Sequence, residues 1–441
     1  MLEILEQATL ARQQENWSLV SQCLRQLPVK ENGSGSQPLE EIECEQALTL
    51  ALQVLAEGDF QQRWQVAKVF PKLGQGAVAP LLEILEDEEA ELEARWFAAR
   101  TLGQFDQPEV VMTLANLLEN TEDEDLEAVA AQALANLGSS AIEALSNLLA
   151  KEESRALAVR ALSLVRRSET IAPLLSVVDD PLWEIRYTAI EALSSFSDAR
   201  IRPVLIAALS DTAAAVRKEA AIGVSACALR GEAGDEVSHL KPLLYDLNGE
   251  VCQQTAVALG KIGSDEASEA LFQVLQSRHT PEALQIVVVK ALGWAETVKA
   301  LDYLQAGLKG TSLAVCREIV TVLGRTESPD LRGFCTQILI EFLYSGEEAA
   351  QATAIKQALA LSLGELGETE AFDPLLTLAA DSQWVVQLHA IAALKKIPNA
   401  GQKLQHSLND KSLSDLKKQG VVIALAEWSK QNSNSKTLDE N

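Results

Sequence analysis

Nowhere in the 441 residues do eighteen apolar residues run together, so no segment is expected to span a membrane. Glycine (23) and proline (13) are sparse, and β-branched runs alternating with polar residues are missing, which argues against a sheet protein. The cysteines Cys23, Cys44, Cys227, Cys252, Cys316 and Cys335 are widely spread with no C-x-x-C, pointing to reduced thiols in a cytoplasmic compartment. The histidines His239, His279, His389 and His406 form no H-x-x-x-H and pair with no cysteine. No Gly-rich phosphate loop and no G-x-S-x-G is present, so no catalytic, cofactor or metal residue is assigned. The opening stretch from Met1 to Glu6 is acidic and amphipathic without a basic-then-apolar order, and no secretory signal is expected. Cations are also short: 37 Lys and Arg face 63 Asp and Glu, a net charge of −26. That balance opposes binding of nucleic acid through the whole surface and adsorption to anionic lipid.

What remains is abundant. Hydrophobic residues make up 47% of the chain, and Ala and Leu dominate them, a composition that favours helices. Two stretches align without gaps. Asp180 to Leu193 and Asp211 to Val224 both read Asp, five residues, Arg, then apolar residues three and seven positions beyond the Arg. Those spacings fall on one helix face. The Arg position continues as a column: Arg63, Arg95, Glu127, Arg155, Arg186, Arg217, Cys252, Gln285, Cys316, Lys356, Gln387 and Lys418. Seven residues after each stands an apolar residue, from Phe70 and Leu102 to Leu394 and Leu425. An apolar helix precedes each column helix, so the unit is helix, turn, helix. Glycines directly after the apolar position (Gly103, Gly260, Gly293, Gly324, Gly364) or four beyond it (Gly74, Gly138, Gly263, Gly367) are expected to end the second helix. Asp180, Asp211, Asp246 and Asp381, six residues before the column, are expected to be N-caps within reach of a neighbouring column Arg.

A single pair this short cannot bury both faces, so pairs must stack. The expected fold is all-α, an α-α superhelix of about twelve helix pairs with an N-terminal helical hairpin. The wording around Trp183 and Trp384, D-x-x-W-x-[VI]-[RQ]-x-x-A-[IV]-x-A-L, resembles the HEAT repeat in the short bacterial form found in phycobilin lyases. In size and acidity the chain is similar to the cyanobacterial HEAT proteins that partner an A-type iron–sulfur scaffold protein. The resemblance implies a non-catalytic scaffold or assembly chaperone. Its client would be a protein, an iron–sulfur scaffold protein or a phycobiliprotein, held on the face lined by the second helices. The alternative it implies is a bilin lyase subunit, in which Arg155, Arg186 and Arg217 could grip bilin propionates. The oligomeric state is not legible.

Regularity breaks in four places. Residues 1–27 read as a capping hairpin, 28–40 as a Gly/Ser/Pro-rich linker, 41–429 as the repeat array, and 430–441 as a polar, disordered tail. The loop from Arg230 to Asp235 lengthens one step of the array. Charge is uneven as well. Residues 83–127 hold fifteen acids against Arg95 and Arg100, whereas residues 395–436 hold eight Lys against Asp410, Asp415 and Glu427.

Two groups stand out as candidate partner-binding residues. Glu86, Asp87, Glu88 and Glu89, with Glu122, Asp123, Glu124 and Asp125, fall in turns inside the second and third units. They form a docking edge for a basic partner, a weak divalent-cation site, or a solvated edge that keeps the chain soluble. No EF-hand spacing is present. Trp183 and Trp384 start second helices and are either binding anchors or fillers between repeats, while Trp64 and Trp96 read as fillers. Cys252 and Cys316 share a column position two repeats apart, roughly 20 Å at helix packing distances of about 8–10 Å, too far to share a metal.

Overall fold

The computed structural model describes residues 2–27, 41–231, 235–408, 410 and 413–436. Among them every regular element is a helix. The chain divides into two compact units, Met1–Val204 and Leu205–Asn441.

In the N-terminal unit the hairpin Leu2–Gln13 and Trp17–Arg25 packs on the helices Glu41–Glu57 and Phe60–Val66. Asn16 starts its second arm by accepting the Leu19 N–H. The first helices of the following pairs, Val78–Glu86, Pro108–Asn120 and Ser139–Leu149, pack in sequence. Their second helices, Leu92–Leu102, Glu124–Leu137, Arg155–Leu164 and Trp183–Ser194, form a parallel series beside them. The C-terminal unit repeats the arrangement with second helices Ala214–Leu229, Gly249–Ile262, Glu282–Ala295, Leu313–Gly324, Thr353–Leu366 and Trp384–Leu394.

All twelve column residues lie on helices, and the apolar residues seven positions on form the core. Phe70, Leu102, Leu134, Leu162, Leu193, Val224, Leu259, Leu292, Leu323, Leu363 and Leu394 are at most 1% exposed; Leu425 in the last helix is half-buried. The +3/+7 spacing therefore marks the face each helix buries.

The column residue itself donates to carbonyls at the turn inside its own repeat. Arg63 reaches Leu55 O and Ala56 O at 2.9 Å, Arg155 reaches Leu149 O at 3.1 Å, and Arg217 reaches Asp211 O at 2.8 Å. Column cations also pair with the next repeat's Asp, among them Arg155–Asp180 at 2.8 Å, Arg217–Asp246 at 2.7 Å and Lys356–Asp381 at 2.8 Å. The Arg217 hydrogen bond is the main reason the Asp246 carboxyl titrates below its ordinary range. Where Arg is replaced, the substitute still donates. Gln285 binds Leu275 O, Gln387 binds Asp381 O, and the thiols of Cys252 and Cys316 point at Asp246 O (3.2 Å) and Leu308 O (3.4 Å). Glu127 inverts the role, accepting from Arg160 at 2.5 Å.

Three expectations need correction. The aspartates are not N-caps. Asp180, Asp211, Asp246 and Asp381 accept the N–H two residues on, closing Asx turns ahead of caps at Leu182, Ala213, Asn248 and Gln383. The glycines divide into two classes. Gly263 and Gly367 close helices in the left-handed conformation, as expected. Gly260, Gly293 and Gly364 instead lie inside helices, because the next helix passes too close for a Cβ. Finally, the last helix, Asp415–Lys436, runs into the stretch set apart as a disordered tail. Buried Val421 and Ala424 anchor it, and an established helix adds residues at little further cost. The linker at 28–40, residues 232–234 of the second loop, and 437–441 lie outside the described residues.

Burial places five of the six thiols in the core, and it pushes those of Cys23, Cys252, Cys316 and Cys335 above the ordinary thiol range. Cys44 alone is half-exposed. One thiol per chain is expected to react quickly with a disulfide reagent in the native protein. The other five should react only on unfolding, and peptide mapping of the first adduct checks that it sits on Cys44.

Candidate functional site

With +3 and +7 buried, the residues one, five and nine positions after the column residue fall on the opposite face of each second helix. In the N-terminal unit this face borders a hollow of about 860 Å³ across three successive second helices. Trp64 and Lys68 come from the first of the three, Trp96 and Arg100 from the second, Gln132 and Asn136 from the third.

The aromatic side is held in order. Phe60 stacks on Trp64 at 6.2 Å between centroids, and Trp96 meets Phe97 edge-on at 5.0 Å. The Arg100 guanidinium lies 4.3 Å from the Trp64 ring centroid and 5.6 Å from that of Trp96, and Lys68 approaches Trp64 at 5.3 Å. These are cation–π contacts, and Arg100 also lines the hollow. Trp64 and Trp96 were expected to be fillers; Trp64 does pack edge-on against Phe97 of the next repeat at 6.4 Å, and both are half-buried and also line the hollow. A helix that must stack on both sides leaves only this one face for them.

Trp183 and Trp384 are the first residues of their helices, 44% and 66% exposed, one in each unit. Neither borders the hollow just described. Of the acids, Asp125 lines it. Glu86, Asp87, Glu88 and Glu89 occupy the exposed turn after Val78–Glu86. Within it Asp87 accepts the Glu89 N–H and Glu86 accepts from Thr113. Asp123 caps Glu124–Leu137 by accepting the Leu126 N–H, while Glu122 and Glu124 are exposed. The acids thus serve turns and caps as well as carrying charge. Among the described residues, no three His, Cys, Asp or Glu side chains are placed to share a metal ion.

The C-terminal unit has a second hollow, of about 1020 Å³, on the same face of its helices. Lys290, Arg317, Arg325 and Leu361 occupy the one, five and nine positions there, and Arg332 enters from a first helix. None of Lys68, Arg100, Gln132, Arg317 or Arg325 was singled out in the sequence. Continuing the column by one, five and nine residues would have found them all.

The arginines assigned to bilin binding are engaged elsewhere. Arg155 and Arg217 hold Asp180 and Asp246, and Arg186 donates to Asp180 O at 2.7 Å.

Residues 78–155, 142–225, 237–324 and 336–426 match the sequence profile of HEAT repeats. No curated protein matches the chain. Several solved structures are similar. An engineered protein is 21% identical, covering 88% of this chain and 96% of its own, with a TM-score of 0.32. Kap95p, studied with RanGDP, is 14% identical, covering 96% and 65%, with a TM-score of 0.49. The CpcE and CpcF complex of phycocyanin lyase from Nostoc is 18% identical, covering 63% and 97%, with a TM-score of 0.26. No described helix is long and apolar enough to cross a membrane.

Proposed function

From the premise that this chain belongs to the HEAT-repeat family, we propose that it is a non-catalytic interaction scaffold or assembly chaperone. It holds a client protein against the exposed face of its second helices. The observation that carries this reading is the hollow walled by Trp64, Trp96 and Arg100. Trp and Arg are the residue types that most often dominate interface energy, and here the cation–π contacts order them before a partner arrives. Exposed Trp183 and Trp384 offer further anchors, one in each unit.

Two resemblances suggest the client's class in this reading: the wording around Trp183 and Trp384 suggests a phycobiliprotein, in phycobilisome assembly, and the size and acidity of the chain suggest an A-type iron–sulfur scaffold protein, in iron–sulfur assembly. The exposed acids Glu88, Glu89, Glu122 and Glu124 set orientation and encounter rate in this reading. The lyase alternative needs free cations at the column, and Arg155, Arg186 and Arg217 are committed to holding turns and neighbouring repeats.

The test is binding to each purified client class by surface-based kinetics. Trp96→Ala with Arg100→Glu is expected to weaken the complex by about tenfold or more, chiefly through faster dissociation. Glu88→Lys with Glu124→Lys is expected to slow association and flatten its salt dependence, with little change in dissociation. Unchanged binding by the Trp96/Arg100 pair would remove the hollow as the site, and no binding by either class would remove both clients.

A further inference from the structure

The hollow of the C-terminal unit gathers four cations beside three glutamates, in a chain otherwise short of cations. Lys290, Arg317, Arg325 and Arg332 border it. Arg317 and Arg325 are exposed, and with Arg332 they form no ion pair with any described residue. Lys290 reaches Glu318 only at 3.8 Å. In a chain with 63 acids to 37 cations, an arginine does not stay unpaired for want of carboxylates. The Nε of Arg332 is moreover buried without an acceptor. A buried donor left open is costly.

The geometry limits the ligand. Arg317 lies in the helix Leu313–Gly324 and Arg325 caps its C-terminal end, eight residues or about two turns on, about 12 Å at 1.5 Å per residue. An extended polypeptide rises about 3.3 Å per residue and alternates its side chains, so acids four residues apart lie on one side at about 13 Å and would meet both guanidinium groups. Apolar surface lies between and beside the cations. Trp294, 53% exposed, shares an adjoining hollow of about 590 Å³ with Lys290 and Arg325, and Leu361 is 46% exposed.

We propose that this face of the C-terminal unit binds an acidic segment of a partner protein in extended form, its carboxylates on Arg317 and Arg325 and its apolar side chains on Trp294 and Leu361. The proposal rests on the scaffold reading and adds the partner's chemistry. A nucleic acid fits less well. Glu318, Glu327 and Glu365 border the same hollow, and a continuous phosphate chain would run against them and against the net charge of −26. A peptide with an acid at every fourth residue carries neutral side chains between its charges, so fewer of its charges meet these glutamates.

The test uses the full chain and a short labelled peptide in which Asp or Glu recurs every fourth residue among Leu, Phe and Ser. Fluorescence anisotropy is expected to show salt-sensitive binding. Arg317→Glu with Arg325→Glu should weaken it by about tenfold or more. Arg278→Glu with Lys309→Glu makes the same change in net charge at exposed positions outside the hollow, and should weaken it by less than about threefold. Circular dichroism of both variants should match the parent. Three results would overturn the proposal: no peptide binding, equal loss in the two variants, or tighter binding of a thymidine oligonucleotide that the Arg317/Arg325 pair abolishes. Self-association seen by sedimentation, lost in that pair and not competed by the peptide, would also overturn it and assign the face to the acidic edge of a second copy. The peptide requires no client, so failure here leaves the client assay on Trp96 and Arg100 standing, and the reverse holds.

Discussion

Replacing Arg63 by alanine is expected to lower the unfolding free energy of the N-terminal unit by about 2–4 kcal/mol, mainly from two lost helix-end hydrogen bonds and the cavity left behind, since its glutamate partners are partly exposed. Arg63 is 2% exposed. Its Nε and one terminal nitrogen bind Leu55 O and Ala56 O at 2.9 Å, at the end of Glu41–Glu57, where helix carbonyls run out of backbone donors. Its terminal nitrogens also pair with Glu91 and Glu93 of the next repeat. Burial works against the guanidinium charge, yet the hydrogen bonds to the two glutamates more than offset it and raise its pKa. One side chain therefore ties two repeats and closes one helix end. Alanine leaves a cavity, two carbonyls without their side-chain donor, and two like charges facing each other. Arg63→Lys keeps the charge but not the planar fork, and is expected to recover roughly half of the loss. Urea unfolding gives the magnitude. Hydrogen exchange should place the new exposure in Phe60–Val66 and Leu92–Leu102, because contacts in a repeat array reach only the neighbours. A loss under about 1 kcal/mol would show that the glutamates and carbonyls are hydrated well enough to do without Arg63.

The fold was legible because stacking imposes one rule at every repeat. A residue seven positions past the column must be apolar or the stack opens, and from Phe70 to Leu394 that rule is kept with full burial. The helix-pair reading follows from it. Less legible were features set by distance rather than by residue type. Asp180 and Asp246 carry an N-cap's chemistry, yet they close a turn two residues earlier; cap and Asx turn draw on the same side chain. Gly260 looked like a helix stop, because sequence alone does not tell a glycine needed for its dihedral angles from one needed for its missing Cβ.

The candidate site was less legible again. Clustered charge drew attention to Glu86–Glu89 and Glu122–Asp125, which the structure places at turns and caps. The hollows instead collect residues spaced by four along separate helices and by about a repeat along the chain. Trp64, Trp96 and Arg100 are ordinary in their own stretches, and so are Arg317 and Arg325. They form a pattern only once the buried face is known and the opposite face is read off by subtraction.

That difference between two kinds of glycine predicts opposite signs for one substitution. Gly→Ala inside an exposed helix ordinarily stabilises by about 0.5–1 kcal/mol, because glycine has more backbone freedom to lose. Gly333, inside Pro329–Leu343, meets this condition: a Cβ there would have nothing within 4 Å. Gly260 is also inside a helix, but it is buried, and a Cβ there would lie 2.7 Å from both Cα and O of Ala291. These are backbone atoms of the neighbouring helix Glu282–Ala295, so no rotamer change relieves the clash. The two helices must separate, and every layer between them loosens. Overpacking of this kind costs about 1–3 kcal/mol, which outweighs the propensity gain. Gly333→Ala is therefore expected to raise the urea midpoint and Gly260→Ala to lower it, the two differing by about 1–3 kcal/mol. Removing the opposing methyl should relieve part of the damage. Ala291→Gly in the Gly260→Ala background is expected to recover stability even though the same change alone destabilises, a coupling that appears only between residues in contact. Equal shifts for Gly260→Ala and Gly333→Ala would mean that the close approach of Gly249–Ile262 to its neighbour is not a constraint on the stack.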